Sequence, residues 1–177
     1  MKIAIIGYSG AGKSTLAEKL SNYYSIPKLH MDTLQFQPGW QDSDREWMLT
    51  EMKNFLTKHE AWVIDGNYSW CYYEERMLKA DQIIFLNFSP WICLLRAFRR
   101  YLKYRGQVRE SMAAGCKEQF NWEFIRWILW DGRSKSAKER YKGIQETYPE
   151  KVIVLRSQKE MDHFLENLTH NKKNQRA

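Results

Sequence analysis

The feature that most constrains the fold is a glycine-rich segment between a short apolar run and a helical pattern. Residues 2–6 are mostly apolar and stop at Gly7, as a short buried strand does. Residues 13–24 then place Leu16, Ala17 and Leu20 on one helical face. Between them, residues 7–14 read G-x-x-x-x-G-K-S. A strand, a tight glycine loop and a helix in this order predict a βα unit of a parallel sheet.

The same segment has the chemistry of a phosphate-binding P-loop. Glycines let the backbone curl around an anion, so that successive amides and the positive helix end face the phosphates. Lys13 is predicted to reach the β- and γ-phosphates, and the Ser14 hydroxyl to coordinate magnesium. The alternative is a chance match or a loop that binds nothing. We therefore expect ATP and Mg²⁺ as cofactors, with the nucleotide held by Gly7, Ser9, Gly10, Ala11, Gly12, Lys13, Ser14 and Thr15.

Further strands are predicted over residues 28–31, 61–64, 82–88 and 151–155, with helical patterns between several of them. One such helix starts at Asp42 or Ser43 and runs to about His59. Strands alternating with helices predict an α/β fold of the P-loop NTPase class, a doubly wound five-stranded parallel sheet. We expect one domain over residues 1–169 with a small lid near 105–120, for which a plain surface loop is the alternative, followed by a disordered tail over 170–177.

Two aspartates follow predicted strands, at the sheet edge where parallel α/β folds bind ligands. Asp65 is predicted to hold magnesium together with Ser14, and its alternative role is in the turn before Gly66. Asp32 is predicted to orient an acceptor or to take the proton of an acceptor hydroxyl. Its alternative role is to cap a turn.

A predicted helix over residues 91–104 divides into two faces. An apolar stripe within about 60° of arc is expected to be core, and it comprises Trp91, Leu95, Phe98 and Leu102. The other face is cationic, and Arg96, Arg100 and Arg105 are predicted to stabilise the charge that develops in phosphoryl transfer. A solvated basic face or a nucleic-acid patch is the alternative. Trp122, Trp127 and Trp130 are also expected in the core, with base stacking or a dimer surface as alternatives.

The charge is distributed unevenly along the chain, whose net charge is +7. Residues 1–95 carry 9 basic and 11 acidic side chains, whereas residues 96–177 carry 19 basic and 10 acidic side chains. The basic half suits either a lid over a triphosphate or a nucleic-acid surface, the latter near residues 133–138. The three cysteines form no metal or disulfide pattern, and no stretch has the length of a membrane span. We expect a cytoplasmic protein with reduced thiols, without membrane contact.

Together these motifs resemble the adenylate-kinase-related nucleoside monophosphate kinases. A more detailed resemblance, to the bacterial DNA topology-modulation proteins, rests on residues 30–34 (HMDTL), 37–40 (QPGW), 62–68 (WVIDGNY) and 127–131 (WILWD). The resemblance spans nearly the whole chain and implies an adenylate-kinase-like fold and ATP binding.

The chain departs from adenylate kinases after Asp65-Gly66. There those enzymes continue with phenylalanine, proline and an arginine that grips the acceptor phosphate, whereas this chain continues with Asn67, Tyr68 and Ser69. Either Arg76 replaces that arginine, or the acceptor lacks a phosphate and Asp32 gains importance. Asp32, Asn67 and Arg76 are therefore the predicted acceptor residues.

The predicted function is transfer of the ATP γ-phosphate to a nucleotide or a related small molecule. One alternative is a nucleic-acid-associated ATPase or regulator, and another is a nucleotide-binding protein without turnover. A monomer and a homodimer are both compatible with the sequence.

Overall fold

A parallel five-stranded sheet forms the centre of the protein. The structure is a computed structural model that describes residues 1–174, with side chains described as far as His170. The sheet strands are β1 (Lys2–Gly7), β2 (Lys28–His30), β5 (Trp62–Asp65), β6 (Gln82–Leu86) and β7 (Val152–Leu155), in the order β2-β5-β1-β6-β7. A separate antiparallel hairpin consists of β3 (Phe36–Gln37) and β4 (Gln41–Asp42).

Eight helices connect and flank the strands within the described residues. They are α1 (Lys13–Tyr24), α2 (Asp32–Gln35), α3 (Arg45–Lys58), α4 (Tyr73–Lys79), α5 (Pro90–Tyr104), α6 (Trp122–Leu129), α7 (Lys135–Thr147) and α8 (Gln158–Asn174). None of these helices is both long and apolar enough to cross a membrane.

The strand order explains where a ligand site can form. After β1 the chain moves to one side, to β2 and β5, and then crosses to the other side, to β6 and β7. Right-handed crossovers in opposite directions place helices on opposite faces, which gives the predicted doubly wound fold. The crevice lies at the carboxyl end of β1, where the direction reverses. Strands β1 and β5 are almost completely buried, as their apolar runs require.

The segment between α5 and α6 packs on the β3–β4 hairpin, and we call it the lid because it lies where the sequence predicts one. Met112, Ala113 and Cys116 form a small apolar cluster with Phe36 and Trp40. The indole Nε1 of Trp40 also donates to the Lys117 carbonyl at 2.9 Å. The lid therefore lies against the hairpin, and its Arg109 and Met112 line the crevice.

The expected burial of the α5 apolar stripe is wrong. Trp91, Leu95, Phe98 and Leu102 are 68%, 47%, 41% and 56% exposed. Helix α5 instead buries Cys93 and Ala97, whose small side chains let it approach the glycine loop closely. Periodicity shows that a helix has an apolar face but does not show which face the fold covers.

The expected burial of the tryptophans in and just after α6 is also wrong, because Trp122, Trp127 and Trp130 are all at least half exposed.

Two boundaries also differ from those predicted. The α3 helix is capped by Asp44, whose carboxylate accepts from the Trp47 amide, and not by Asp42 or Ser43. Helix α8 continues to Asn174, past the predicted start of the tail at His170, and residues 175–177 lie outside the described residues.

Gly115→Ala should loosen the lid. The backbone at Gly115 has φ +78°, and an added Cβ would lie 2.9 Å from the Cβ of Pro38 in the hairpin. We expect amide hydrogen exchange over residues 106–120 to become about tenfold faster or more. Gly106→Ala is the matched control, because its φ is +74° but no atom lies within 4 Å of the added Cβ. Equal acceleration in both variants would contradict a specific lid contact.

Candidate active site

The glycine loop lies against the N-terminal half of α5. Gly10 has φ +80°, and an added Cβ would lie 2.4 Å from the Cys93 carbonyl oxygen. Only glycine combines this backbone conformation with so close an approach. The helix α1 then begins directly after Gly12, so its N-terminal amides face the crevice as the P-loop interpretation requires.

Lys13 is folded over the loop. Its ammonium donates to the carbonyl oxygens of Gly7 at 2.9 Å and Tyr8 at 3.2 Å. Burial lowers the pKa of Lys13, and the carboxylates of Asp32 and Asp65 oppose that shift. The lysine thus lies between the loop and the two predicted aspartates, where it can meet a phosphate.

Asp65 is oriented on both of its carboxylate oxygens. The Ser14 hydroxyl donates to Oδ2 at 2.9 Å, and His30 Nδ1 lies 2.5 Å from Oδ1. His30 and Asp65 are both buried. Two hard oxygen donors, one hydroxyl and one carboxylate, therefore lie together beside the loop, which is a donor set that suits Mg²⁺.

Asn67 fixes the start of the loop. Its side-chain amide donates to the Gly7 carbonyl at 2.6 Å, and its Oδ1 accepts from the Gly7 amide at 3.0 Å. Asn67 lines the crevice as predicted, but both ends of its amide are engaged by the backbone. These contacts make Asn67 a support of the loop, while its amide keeps a second N–H donor beside the crevice, so the acceptor role stays a prediction.

Asp32 stands at the start of α2 and lines the crevice. Tyr68 donates its hydroxyl to Asp32 Oδ1 at 2.6 Å. Burial raises the pKa of Tyr68, so its phenol stays protonated and holds the carboxylate in place. The second oxygen of Asp32, Oδ2, forms no hydrogen bond with the described residues.

Arginines from α5 and the lid supply positive charge on the opposite wall. Arg96 donates to the Ala11 carbonyl at 2.5 Å and also to Gln158. Arg100 and Arg109 share the buried carboxylate of Glu118, at 2.7 Å and 2.5 Å. Because both arginines hold the same buried carboxylate, their geometry is fixed while the three groups together keep a net positive charge.

Two predicted arginines do not reach the crevice. Arg105 is exposed just after the last residue of α5, where the helical spacing that links Arg96 to Arg100 no longer applies. Arg76 is fully buried and donates to the carbonyls of Gly66 at 3.3 Å and Tyr68 at 3.1 Å. Burial lowers the pKa of Arg76 to about 10, so it remains charged at neutral pH and acts as a brace for this loop.

The crevice has a volume of about 840 Å³, and the predicted residues Asp32, Asn67, Arg96 and Arg100 line it, whereas the buried Asp65 does not. Of the predicted nucleotide-binding residues, Ser9, Gly10, Gly12, Lys13, Ser14 and Thr15 line it, whereas Gly7 and Ala11 lie behind the loop surface. The side near Asp32 is rich in aromatic side chains, which are Phe36, Trp40, Tyr68 and Trp70. Trp127 lies on the side of the glycine loop, where its indole donates to Ser9 Oγ at 3.0 Å.

Sequence reasoning missed several of these residues for an identifiable reason. His30 and Glu118 act through Asp65 and through the arginine pair, and neither lies in a recognisable spacing. Arg109 belongs to the basic run, but nothing in its spacing distinguishes it from Arg105. The aromatic wall comes from α2, the hairpin and the loop after β5, which converge only in the folded chain.

Comparison with solved structures places the fold among P-loop kinases. A shikimate kinase from Acinetobacter baumannii in complex with shikimate aligns with a TM-score of 0.55 and 14% identity, covering 98% of this chain and 93% of that chain. Deoxyadenosine kinase from M. mycoides with bound dATP aligns with a TM-score of 0.55 and 20% identity, covering 98% of this chain and 100% of that chain. A gluconokinase from Sinorhizobium meliloti 1021 aligns with a TM-score of 0.50 and 18% identity, covering 98% of this chain and 96% of that chain. At these identities the likeness establishes the fold.

No protein-family model matches the chain, and no curated protein matches it. The resemblance to the DNA topology-modulation proteins therefore stays a prediction.

Arg76→Ala should destabilise the protein. The substitution leaves two buried carbonyls without their donor and opens a cavity, so we expect the free energy of unfolding to fall by about 3–5 kcal/mol. Urea denaturation measures this change. Arg45→Ala is the control, because Arg45 is exposed and only lies over the Trp70 ring, which predicts a loss of about 1 kcal/mol or less. Unchanged stability of Arg76→Ala with weakened acceptor binding would instead favour the original acceptor role.

Proposed function

We propose that this protein is an ATP-dependent phosphotransferase that acts on the hydroxyl group of a small molecule with a ring or another flat apolar part. The observation that carries the proposal is that Asp32 and the glycine-loop lysine, Lys13, face one crevice. The Asp32 carboxylate suits a hydroxyl acceptor, and the Lys13 ammonium suits a triphosphate donor. The fold shared with shikimate, gluconate and deoxyadenosine kinases supports the same class of reaction.

In the proposed reaction, loop amides and Lys13 hold the triphosphate, and Arg96 and Arg100 face the developing charge. Asp32, held by Tyr68, accepts the proton of the acceptor hydroxyl as its oxygen attacks the γ-phosphorus. A new oxygen–phosphorus bond forms, the bond from the γ-phosphorus to the ADP oxygen breaks, and the proton on Asp32 passes to solvent. The docked lid excludes water, which would otherwise compete as acceptor.

Ser14 and Asp65 are the residues that would hold Mg²⁺ near the phosphates. A bound magnesium ion neutralises phosphate charge in this chemistry. The role proposed for His30 is to keep the Asp65 carboxylate turned toward Ser14.

The acceptor side favours a molecule without a phosphate. Arg76 is committed to loop carbonyls, and Arg100 and Arg109 share the single carboxylate of Glu118, so an acceptor phosphate would compete with that carboxylate for them. The aromatic walls formed by Phe36, Trp40 and Trp70 suit a flat ring, for which stacking is favourable. A nucleoside fits these requirements better than a nucleoside monophosphate does, and a ring-bearing hydroxyl compound of another kind fits them as well.

The nucleic-acid alternative receives less support from the basic second half. Arg133 is engaged by the carbonyls of Ile128 and Phe88 and lies over the Tyr8 ring. Lys135 and Lys142 form ion pairs with Glu139 and Glu146 one turn further along α7. Lys135 and Lys142 are paired with acids and the Arg133 guanidinium is held by neutral partners inside the protein, so these three residues attract a phosphate backbone weakly.

ATP turnover against an acceptor panel tests the proposal. The panel contains nucleosides, nucleoside monophosphates, phosphate-free ring-bearing polyols and duplex DNA, with magnesium at low salt. We expect ADP formation to be stimulated by a phosphate-free hydroxyl compound and to be lost in Lys13→Ala. Stimulation by DNA alone, with a steep dependence on salt, would favour the nucleic-acid alternative. ATP binding without any turnover would contradict the kinase proposal.

Asp32→Asn should abolish transfer but leave ATP binding intact. Asparagine keeps the shape of the side chain and cannot accept the proton, so we expect kcat to fall about 10²–10⁴-fold with the Kd for ATP changed by less than about threefold. Stopped-flow turnover and calorimetry measure the two quantities. Asp42→Asn is the matched control, because Asp42 is an exposed carboxylate nearby that accepts from Gln35. Comparable losses in both variants would rule out a specific role for Asp32.

A further inference from the structure

Arg140 is a cation of the crevice that no described residue neutralises. It lies on α7 and lines the crevice. Its guanidinium forms no hydrogen bond and no ion pair with any residue that the structure describes. A guanidinium stays charged at neutral pH and presents its N–H donors in one plane. Arg140 therefore offers the crevice a positive charge and a set of donors that the described chain does not use.

Arg140 stands on the side of the crevice that holds Asp32. The loop after β5 connects the two residues. It begins beside Asp32, where Tyr68 donates to the carboxylate at 2.6 Å, and it leads to Tyr73 at the start of α4. Burial raises the pKa of Tyr73, and the nearby positive charges of Arg76 and Arg140 oppose that shift. A molecule bound along this loop therefore has the Asp32 carboxylate at one end and Arg140 at the other.

Arg99 is the other arginine of the crevice without a hydrogen bond or ion pair among the described residues. It lies on α5 with Arg96 and Arg100, on the wall that faces the triphosphate in the proposed reaction. The free cation of the opposite side is therefore Arg140.

The surroundings of Arg140 favour an anion. Arg76 is fully buried and donates to two carbonyls, but it forms no ion pair with the described residues. A buried charge without a counter-ion acts over a longer distance than an exposed one, because little solvent screens it. Ser69 also lines the crevice, and its hydroxyl forms no hydrogen bond within the described chain. This end of the crevice thus combines positive potential with two sets of unused donors.

The number of free cations indicates a singly charged group. A phosphate group carries a charge of about −1.5 to −2 at neutral pH, and one free guanidinium balances only part of it. A carboxylate carries one negative charge, and its two oxygens match the fork of a single guanidinium. Arg76 cannot add a second contact, because its side chain is fully buried behind the loop.

We propose that Arg140, together with Ser69, binds a carboxylate of the acceptor, which makes the acceptor a ring-bearing hydroxy acid. Its hydroxyl then faces Asp32, and its ring lies between the two ends beside Trp70. This inference rests on the proposed function and narrows its acceptor class. The transfer itself is unchanged, because the carboxylate takes no part in making or breaking a bond.

Two probes of equal shape test the charge requirement without any turnover. They are meta-hydroxybenzoate and meta-hydroxybenzamide, which share a ring and a hydroxyl, but only the benzoate is an anion. With ADP and magnesium present, we expect the full chain to bind the benzoate about 10–100-fold more tightly than the amide. An NMR titration of each probe measures the two Kd values. Equal affinities would overturn the proposal.

Variants at position 140 assign the preference to one side chain. Arg140→Met should reduce the benzoate-to-amide ratio to about threefold or less, and Arg140→Lys should retain part of it, because lysine keeps the charge without the fork. Lys142→Met is the matched control and should bind both probes as the unaltered protein does. Lys142 lies on the same helix, is 75% exposed and pairs with Glu146.

The Kd for ATP of each variant shows whether the fold and the donor site are intact. We expect it to change by less than about threefold in Arg140→Met. An ATP Kd raised about tenfold or more, at an unchanged melting temperature, would assign Arg140 to the triphosphate and overturn the proposal.

Phenyl phosphate distinguishes the two kinds of anion. If it binds more tightly than meta-hydroxybenzoate, and loses that affinity in Arg140→Met, the carboxylate assignment is wrong. ADP formation with hydroxy acids added to the acceptor panel tests the reaction separately. An Arg140-dependent preference for the benzoate without ADP formation from any acceptor would support the anion subsite and contradict the kinase proposal alone. Turnover of neutral acceptors without such a preference would overturn this inference alone.

Discussion

The contact between the glycine loop and α5 determines the rest of the site. The Cys93 carbonyl lies so close to Gly10 that no side chain fits between them, and Arg96 completes the contact by donating to the Ala11 carbonyl. This contact fixes the rotation of α5 about its own axis. With the rotation fixed, Arg100 faces the crevice and the apolar stripe faces solvent.

The charges of the crevice are oriented before any ligand binds. Lys13 is held by loop carbonyls, Asp65 by Ser14 and His30, and Asp32 by Tyr68. Oriented groups of this kind favour phosphoryl transfer, because little reorganisation is needed when charge develops. Glu118 orients the arginines of the opposite wall in the same way, because its carboxylate accepts hydrogen bonds from both Arg100 and Arg109.

The parts of the site that the sequence predicts are those encoded locally. The β1 strand, the glycine loop and α1 are adjacent in the chain, so their spacing alone shows that Gly10, Gly12 and Lys13 act together. Which side of α5 faces solvent cannot be predicted in this way, because it depends on the contact between the helix and the glycine loop. That contact joins Arg96 to Ala11, which lie more than 80 positions apart in the chain. Arg76 illustrates the same limit: its charge suggests a ligand, but burial against the Gly66 and Tyr68 carbonyls makes it a brace.

The lid and the proposed acceptor site share side chains, which would link their energetics. Phe36 and Trp40 line the crevice, and they also pack on Met112 and Cys116 of the lid. An acceptor ring that packed against Phe36 or Trp40 would therefore change the surface on which the lid rests. Because both contacts use the same side chains, the affinity for the proposed acceptor and the stability of the lid contact would change together. In the proposed reaction, selectivity would then depend on the hairpin and lid as much as on the glycine loop.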